Sequence, residues 1–211
     1  MNPYSNINFV PLDLPYAYCD PVDIKKYMDY KGKRVEYDWT KQIDHPWNHV
    51  VVRLPSLSPE QGEKPGSGWR PDFKKRFPEV VRVVEMMPYD TIQYVYLLEQ
   101  VIGVEPHIDY ASKNPLEQYE PATYRISLLM EDLDAFYFCS NAECSTHNIP
   151  VFPKETNSWV FSNKHFKHGS VMPKLGKRKV LLAVGGMLND IQHFDLLEKS
   201  VAKYSQYKMV V

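Results

Sequence analysis

The sequence has no long apolar run. Although 44% of its 211 residues are apolar, no stretch approaches the roughly 18 consecutive apolar residues of a membrane-spanning helix. The first fifteen residues, "MNPYSNINFVPLDLP", also lack the basic start and continuous apolar centre of a signal peptide. We therefore expect a cytoplasmic protein without a membrane partner.

The chain has almost no net charge: 25 basic and 26 acidic residues give a formal charge of −1. Nothing in this balance attracts a polyanion, so we expect no nucleic-acid partner and disfavour a nucleic-acid dealkylase. A mildly basic run from Lys164 to Lys179 suits a small dianion or a solvated surface equally well.

Cysteine is scarce, with only Cys19, Cys139 and Cys144. An odd, small number is typical of a reducing compartment, so free thiols are expected. Cys139, Cys144 and His147 lie within nine residues and are three possible zinc ligands. Their spacing fits no usual zinc knuckle, so a structural zinc site is the less favoured alternative.

The chain contains no internal repeat and has the length of one domain. We divide it into an N-terminal wrap, loop and helix (1–90), a β-rich core (91–190) and a C-terminal helix and tail (191–211). Residues 56–71, "SLSPEQGEKPGSGWRP", have the composition of a surface loop. Trp69 near its end is either a lid residue or an anchor against the core.

Three segments indicate helices: "PVDIKKYMDY", "FPEVVRVVEMMP" and "IQHFDLLEKSVAKY". In the second, Pro78 suits the first helical position and Pro88 ends the run. In the third, Asn189 or Asp190 is a suitable N-cap. The segment "NHVVVRLP" indicates a strand before the loop.

From Thr91 onward the pattern changes to short β-branched and aromatic runs separated by turn residues. The seven runs are "TIQYVYLLEQVIGVEPHID", "ATYRISLLM", "AFYFCSN", "IPVFP", "SWVFSN", "HGSVMP" and "KRKVLLAVGGML". No helix-length segments lie between them for parallel crossovers. We therefore predict a mainly β fold with flanking helices, a double-stranded β-helix of the jelly-roll, cupin-like kind.

Two His-x-Asp pairs occur, His107 with Asp109 and His193 with Asp195, where chance alone gives about 0.4 such pairs. The first pair ends a β run, where residues two apart project from one face and can bind one ion together. The second pair lies in a predicted helix, where such residues point about 200° apart. We assign the second pair to a capped or exposed helix face.

A non-haem Fe(II) site with two histidines and one carboxylate needs a further His on a neighbouring strand. The downstream candidates are His147, His165, His168 and His193. His168 is followed ten residues later by Arg178 at the start of an apolar strand. His193 also has a cation at that offset, Lys203, but no strand between them. We therefore favour His168.

The order His107, Asp109, His168, Arg178 on this β pattern resembles the Fe(II)/2-oxoglutarate-dependent oxygenases. The segments "YRISLLM", "SWVFSNKHFKHGSV" and "KRKVLLAV" look most like the aspartyl/asparaginyl and proline hydroxylase-like branch. The resemblance covers about residues 91–190, and residues 1–70 match nothing that would indicate a substrate.

The resemblance implies that His107, Asp109 and His168 bind Fe(II) and that Arg178 holds the distal carboxylate of 2-oxoglutarate, to which a planar guanidinium is well matched. It implies hydroxylation of an unactivated C–H bond of a peptidyl side chain or a small amino-acid-like substrate, with release of succinate and CO2. Arg125 is a second candidate for the cosubstrate or a substrate carboxylate. Tyr94 and Tyr96 are either donors to the cosubstrate or core residues.

Two alternatives stay open. A cupin-type iron oxygenase has the same fold and metal but uses no 2-oxoglutarate, and an arginine at the position of Arg178 counts against it. A non-enzymatic jelly-roll binding module would use the loop at 56–71 and the Tyr-rich N-terminus as its partner surface.

Overall fold

A computed structural model of the protein describes residues 7–31, 33–34, 47–54, 68–100, 102–108, 122–131, 136–140, 143–162 and 167–210. Asp109 and most of the loop predicted at 56–71 lie outside these residues. Among the helices that are described, none combines the length and apolarity needed to cross a membrane.

Most strands join one large, mainly antiparallel sheet. In spatial order it contains β13 (Met209–Val210), β1 (Ile7–Pro11), β10 (Ser158–Ser162), β7 (Ala122–Met130), β12 (Lys179–Leu188), β5 (Tyr89–Gln100), β3 (Trp47–Leu54) and β2 (Lys33–Arg34), and β4 (Gly68–Trp69) pairs with β3. A second, smaller antiparallel sheet contains β6 (Val104–His107), β11 (His168–Ser170), β8 (Tyr137–Cys139) and β9 (His147–Asn148). Two antiparallel sheets enclosing a pocket make this the predicted jelly roll.

The four helices in the described residues are α1 (Pro21–Lys31), α2 (Pro71–Arg76), α3 (Pro78–Glu85) and α4 (Asp190–Lys203). Pro78 begins α3, as predicted. The Asn189 side chain caps α4 by accepting a hydrogen bond from the Gln192 N–H at 3.1 Å, which confirms that choice of cap. The six-residue α2 was missed: it begins at Pro71, where the predicted loop ends, and is too short to show a helical period.

Successive residues of the large sheet alternate between two buried faces. Val180, Leu182 and Val184 of β12 join a core cluster with residues of all four helices. On the opposite face, Phe9, Trp159 and Phe161 pack with Phe136 and Phe138 of the small-sheet side. Because side chains in a strand alternate with period two, one face of the large sheet is covered by helices and the other by the small sheet.

Five of the seven predicted β runs contain a strand much as expected, and two need correction. The run "TIQYVYLLEQVIGVEPHID" contains two strands, because the chain leaves the large sheet after Gln100 and enters the small one at Val104. The run "IPVFP" contains no strand. Its two prolines lack the N–H that a ladder needs, and the preceding residues His147–Asn148 form β9 instead.

His193 is not on an exposed helix face. It is buried in α4, and its Nδ1 lies 2.6 Å from the Tyr124 hydroxyl. Asp195 points outward from the same helix. The pair is therefore split between two faces, as the helical geometry predicted, but the histidine side is the buried one.

The free thiols expected at Cys139 and Cys144 are also not found, because these two residues form a disulfide across the β8–β9 turn. Sequence spacing cannot reveal this pairing, since it depends on how tightly the hairpin closes. Cys19 is free and buried, and burial, followed by the neighbouring Asp20 charge, raises its pKa to about 12.

Candidate functional site

His107 and His168 face each other across the small sheet. His107 is the last residue of β6, His168 is the first residue of β11, and the two are direct register partners. Their ring centroids are 4.5 Å apart. Two imidazoles at this separation are close enough to share one ion, so the structure brings together two of the three ligands predicted from the sequence.

The proton position on His107 is set by the backbone. Its Nδ1 lies 2.8 Å from the carbonyl oxygen of Glu105. A carbonyl oxygen can only accept, so Nδ1 carries the hydrogen and Nε2 keeps its lone pair. A histidine whose other nitrogen donates to a carbonyl is the usual arrangement of a metal ligand.

A cavity of about 140 Å³ adjoins the two histidines. Because a single water needs only about 10–15 Å³ of such volume, the cavity has room for a small organic molecule. Its described walls are formed by Leu98, Val104, His107, Arg125, Phe136, Trp159, Phe161, His168, Gly169, Ser170 and Leu181. It lies between the two sheets, with His168 almost fully buried at 5% exposure.

The third predicted ligand, Asp109, lies outside the described residues. Within the parts of the chain that the structure describes, no group of three or more His, Cys, Asp or Glu residues is placed to hold a metal ion. The fit to a metal therefore depends on the two facing imidazoles and the His107 tautomer. Both features suit an ion such as Fe(II) bound by two histidines.

Arg125 in β7 is a wall residue of this cavity. Its Nη1 donates to the Tyr124 carbonyl oxygen at 3.1 Å, and its guanidinium lies 5.7 Å from the centroid of the Phe161 ring. The ring and the carbonyl restrain the orientation of the guanidinium, whose planar fork of donors suits bidentate binding of a carboxylate.

Arg178 is not brought to the cavity. Its Nε donates to the buried Glu99 carboxylate, its Nη1 lies 2.9 Å from Asp29 Oδ1 in α1, and its backbone N–H donates to Glu131 at 2.8 Å. Burial disfavours the charge, but the Glu99 and Asp29 carboxylates hold the pKa of the guanidinium above its ordinary value. Arg178 thus ties α1 to the helix-covered face of the large sheet.

Arg178 points away from the cavity because side chains alternate between the two faces of a strand. Leu181 of β12 lines the cavity, so Lys179 projects from the same face and Arg178 from the other. Lys179 is 1% exposed, and its Nζ lies 5.4 Å from the centroid of the Phe136 ring that forms part of the cavity wall. The inward cation at this end of the strand is therefore Lys179, one residue later than predicted.

The aromatic residues divide as follows. Trp159 and Phe161 are buried, as expected for core residues, but both also line the cavity. Tyr94 and Tyr96 stack on each other with centroids 4.9 Å apart, and neither is among the described wall residues. Trp69 stacks on Phe73 of α2 at 5.9 Å, which fits an anchor.

No family model matches this chain, and no curated protein matches it. Solved structures do resemble it. A Burkholderia pseudomallei oxidoreductase of the 2OG-Fe(II) oxygenase family has a TM-score of 0.42 and 14% identity, over 85% of this chain and 82% of its own. The non-heme alpha ketoglutarate dependent epimerase SnoN from nogalamycin biosynthesis has a TM-score of 0.44 and 11% identity, over 86% and 78%.

A further structure, EvdMO1, has a TM-score of 0.45 and 12% identity. It covers 86% of this chain, which spans only 47% of EvdMO1. At TM-scores below 0.5 we transfer no activity, substrate or residue role from these proteins to this chain.

Proposed function

We propose that this protein is an Fe(II)- and 2-oxoglutarate-dependent oxygenase. The observation that carries the proposal is the register pair His107 and His168 at the wall of a cavity between the two sheets, with the His107 ring oriented by the hydrogen bond at Nδ1. Asp109, two residues after His107, is the proposed carboxylate ligand. When bound, the iron would activate dioxygen, and 2-oxoglutarate would supply two electrons by its oxidative decarboxylation to succinate and CO2, so that one oxygen atom enters succinate and the other hydroxylates a C–H bond.

The remaining tasks belong to the protein. Among the described residues, Arg125 lines the cavity and Lys179 lies beside it on the same side of the large sheet, and we assign Lys179 to the cosubstrate carboxylate and Arg125 to a second carboxylate. Phe136, Trp159 and Phe161 surround this space with apolar surface, which excludes water and strengthens a charge pair inside it. Arg178 is replaced in this scheme by Lys179.

We propose the substrate class predicted from the sequence, a peptidyl side chain or a small amino-acid-like molecule. Arg125 supports it, because a guanidinium at the cavity wall favours a partner that carries a carboxylate. The other expectations from the sequence stay predictions. They are membership of the aspartyl/asparaginyl and proline hydroxylase-like branch, a single domain over residues 1–211, a cytoplasmic location and the absence of nucleic-acid and membrane partners.

The cupin-type alternative without 2-oxoglutarate is now judged by other residues. Arg178 no longer argues against it, since its side chain is engaged by Glu99 and Asp29. Lys179 takes over that argument, because it is a buried cation on the cavity side of β12, beside the Phe136 ring. No observation in the described residues favours a non-enzymatic binding module.

The first test is metal and cosubstrate binding by the whole chain. We expect the metal-free protein to bind Co(II), a spectroscopic substitute for Fe(II), and to bind 2-oxoglutarate only when the metal is present. With Fe(II), ascorbate and dioxygen, succinate should form slowly even without substrate. His107→Ala and His168→Ala should each abolish metal binding.

His147→Ala is the matched control, because His147 is an exposed histidine on the edge strand of the same small sheet. It should bind Co(II) like the wild type. A wild-type protein that binds neither Co(II) nor 2-oxoglutarate would overturn the proposed function.

A further inference from the structure

The two strands that carry the histidines are weakly paired. Between the partners His168 and His107 and the partners Ser170 and Val104 the register shifts, so β6 contains one extra residue, a β-bulge. Pro106, in the middle of β6, has no N–H to give to the ladder. A short ladder with a bulge and a proline leaves the relative position of the two histidines poorly constrained by backbone pairing alone.

Gln100 supplies a constraint from outside this ladder. It is the last residue of β5 in the large sheet and is 3% exposed. Its Nε2 lies 2.8 Å from Ser170 Oγ and 2.9 Å from both the Val171 and the Ile102 carbonyl oxygens. One amide therefore joins the end of β5, the turn into β6 and the end of β11.

The close packing of the β5–β6 turn agrees with Gln100 joining the two sheets here. A Cβ added at Gly103 would lie 3.3 Å from both Met172 N and Ser170 O, so the β5–β6 turn approaches the end of β11 very closely. The Gln100 amide lies at this junction of the two sheets, two residues along β11 from His168.

We call the contacts of Gln100 Nε2 with Ser170, Val171 and Ile102 the Gln100 clasp. The other polar atom of this side chain is left unsatisfied. Gln100 Oε1 is buried and, within the described part of the chain, has no hydrogen-bond partner. A buried carbonyl without a partner offsets part of the stabilisation that the three Nε2 contacts contribute.

We propose that Gln100 is a positioning residue that sets the register at which His168 faces His107, and with it the geometry of the metal site. This inference rests on the proposed function. Gln100 acts on His168 indirectly. Its amide holds Ser170 and Val171, which follow His168 in the chain.

The test compares Gln100→Met, which keeps the length of the side chain and removes its donors, with the wild-type protein in a Co(II) titration. We expect Co(II) affinity to fall by about tenfold or more, as for other groups that orient metal ligands. We also expect the visible Co(II) band to change shape at saturation. The midpoint of urea unfolding of the metal-free protein should fall only modestly, since removal of the unsatisfied Oε1 offsets part of the loss of the donors to Ser170, Val171 and Ile102.

Asn157→Leu is the matched control. Asn157 is a buried amide outside the cavity wall whose groups are satisfied: Oδ1 accepts from the Ala17 N–H at 2.9 Å, and Nδ2 donates to the Ala17 and Ser127 carbonyls. This variant should show the opposite pattern, with a lower urea midpoint and unchanged Co(II) affinity and spectrum.

Should Gln100→Met fail to fold, Ser170→Ala removes one acceptor of the clasp at little structural risk, and a fall of a few fold in Co(II) affinity is expected. Wild-type affinity in either folded variant would overturn the role of Gln100 while leaving the proposed function intact. If the wild-type protein itself does not bind Co(II), the proposed function fails instead.

Discussion

The two faces of the large sheet are both buried but are built for different purposes. On the helix-covered face, aliphatic residues such as Val180 and Leu182 pack against helices, and charges such as Arg178 are neutralised by Glu99 and Asp29. On the opposite face, aromatic residues surround a cavity with two histidines, Arg125 and the nearby buried Lys179. Neighbouring residues of one strand thus contribute either to the helix-packed core or to the cavity, according to the face of the sheet from which they project.

The largest effect should come from truncating the packed face. Leu182 is fully buried among the helices, so Leu182→Ala should lower the free energy of unfolding by about 2–5 kcal/mol. Leu181→Ala, one residue away, should cost clearly less, because its side chain already borders a cavity. Urea unfolding of both variants checks this, and an equal loss would contradict the division of the two faces.

The second effect concerns the small sheet, which covers the cavity with little helical support. Reducing the Cys139–Cys144 disulfide should lower the free energy of unfolding by about 2 kcal/mol, since a closed loop of this length restricts the unfolded chain. Unfolding with and without dithiothreitol measures the change. The Cys139→Ser/Cys144→Ser double variant should not respond to the reductant, and a response there would point to another cause.

Cys19 should stay unreactive to iodoacetamide in the native protein because its pKa is about 12.

A third pair of variants tests which of Arg178 and Lys179 binds 2-oxoglutarate. Lys179→Met should weaken 2-oxoglutarate binding to the metal-loaded protein by about tenfold or more, because it removes the inward cation. Arg178→Met should leave that affinity unchanged and lower stability, since it leaves the buried Glu99 carboxylate without the guanidinium. Titration by calorimetry with 2-oxoglutarate decides between them, and the reverse result would restore the role predicted for Arg178.

The smallest effect is a pH dependence on the helix-covered side. Lys25 Nζ lies 2.5 Å from Glu131 Oε1, and this hydrogen bond holds the pKa of Glu131 below its ordinary value. A lowered folded-state pKa stabilises the protein above the unfolded pKa, and that stabilisation is lost as pH falls through the lowered value. Glu131→Gln should therefore show a weaker loss of stability between neutral and acidic pH. Parallel curves for the two proteins would contradict this.

Much of the fold follows from periodicity. The helix at Pro78, the Asn189 cap and the strand Ala122–Met130 were predicted correctly, because their signals are local. His107 and His168, which were predicted to lie on neighbouring strands, are register partners. What periodicity could not supply was the bulge and the change of sheet after Gln100, which depend on partners far along the chain.

The orientation of Arg178 away from the cavity could not be read from the sequence. After Lys179 the run "VLLAV" is continuously apolar because both faces of the strand are buried, so no alternation marks the inward positions. Choosing between Arg178 and Lys179 then requires knowing which of Leu181 and Leu182 faces the cavity, and only the sheet register gives that. The disulfide and the burial of His193 were missed for the same reason, since each depends on a tertiary contact.

Trp159 carries one more consequence. Its ring lines the cavity together with both histidines, and its Nε1–H is held by Ser127 Oγ at 3.0 Å, so the indole is rigid and shielded from water. A paramagnetic ion bound between the histidines would quench the emission of this indole more strongly than that of Trp69, which lies on the helix-covered side. Trp159 emission would thus report occupancy of the proposed metal site.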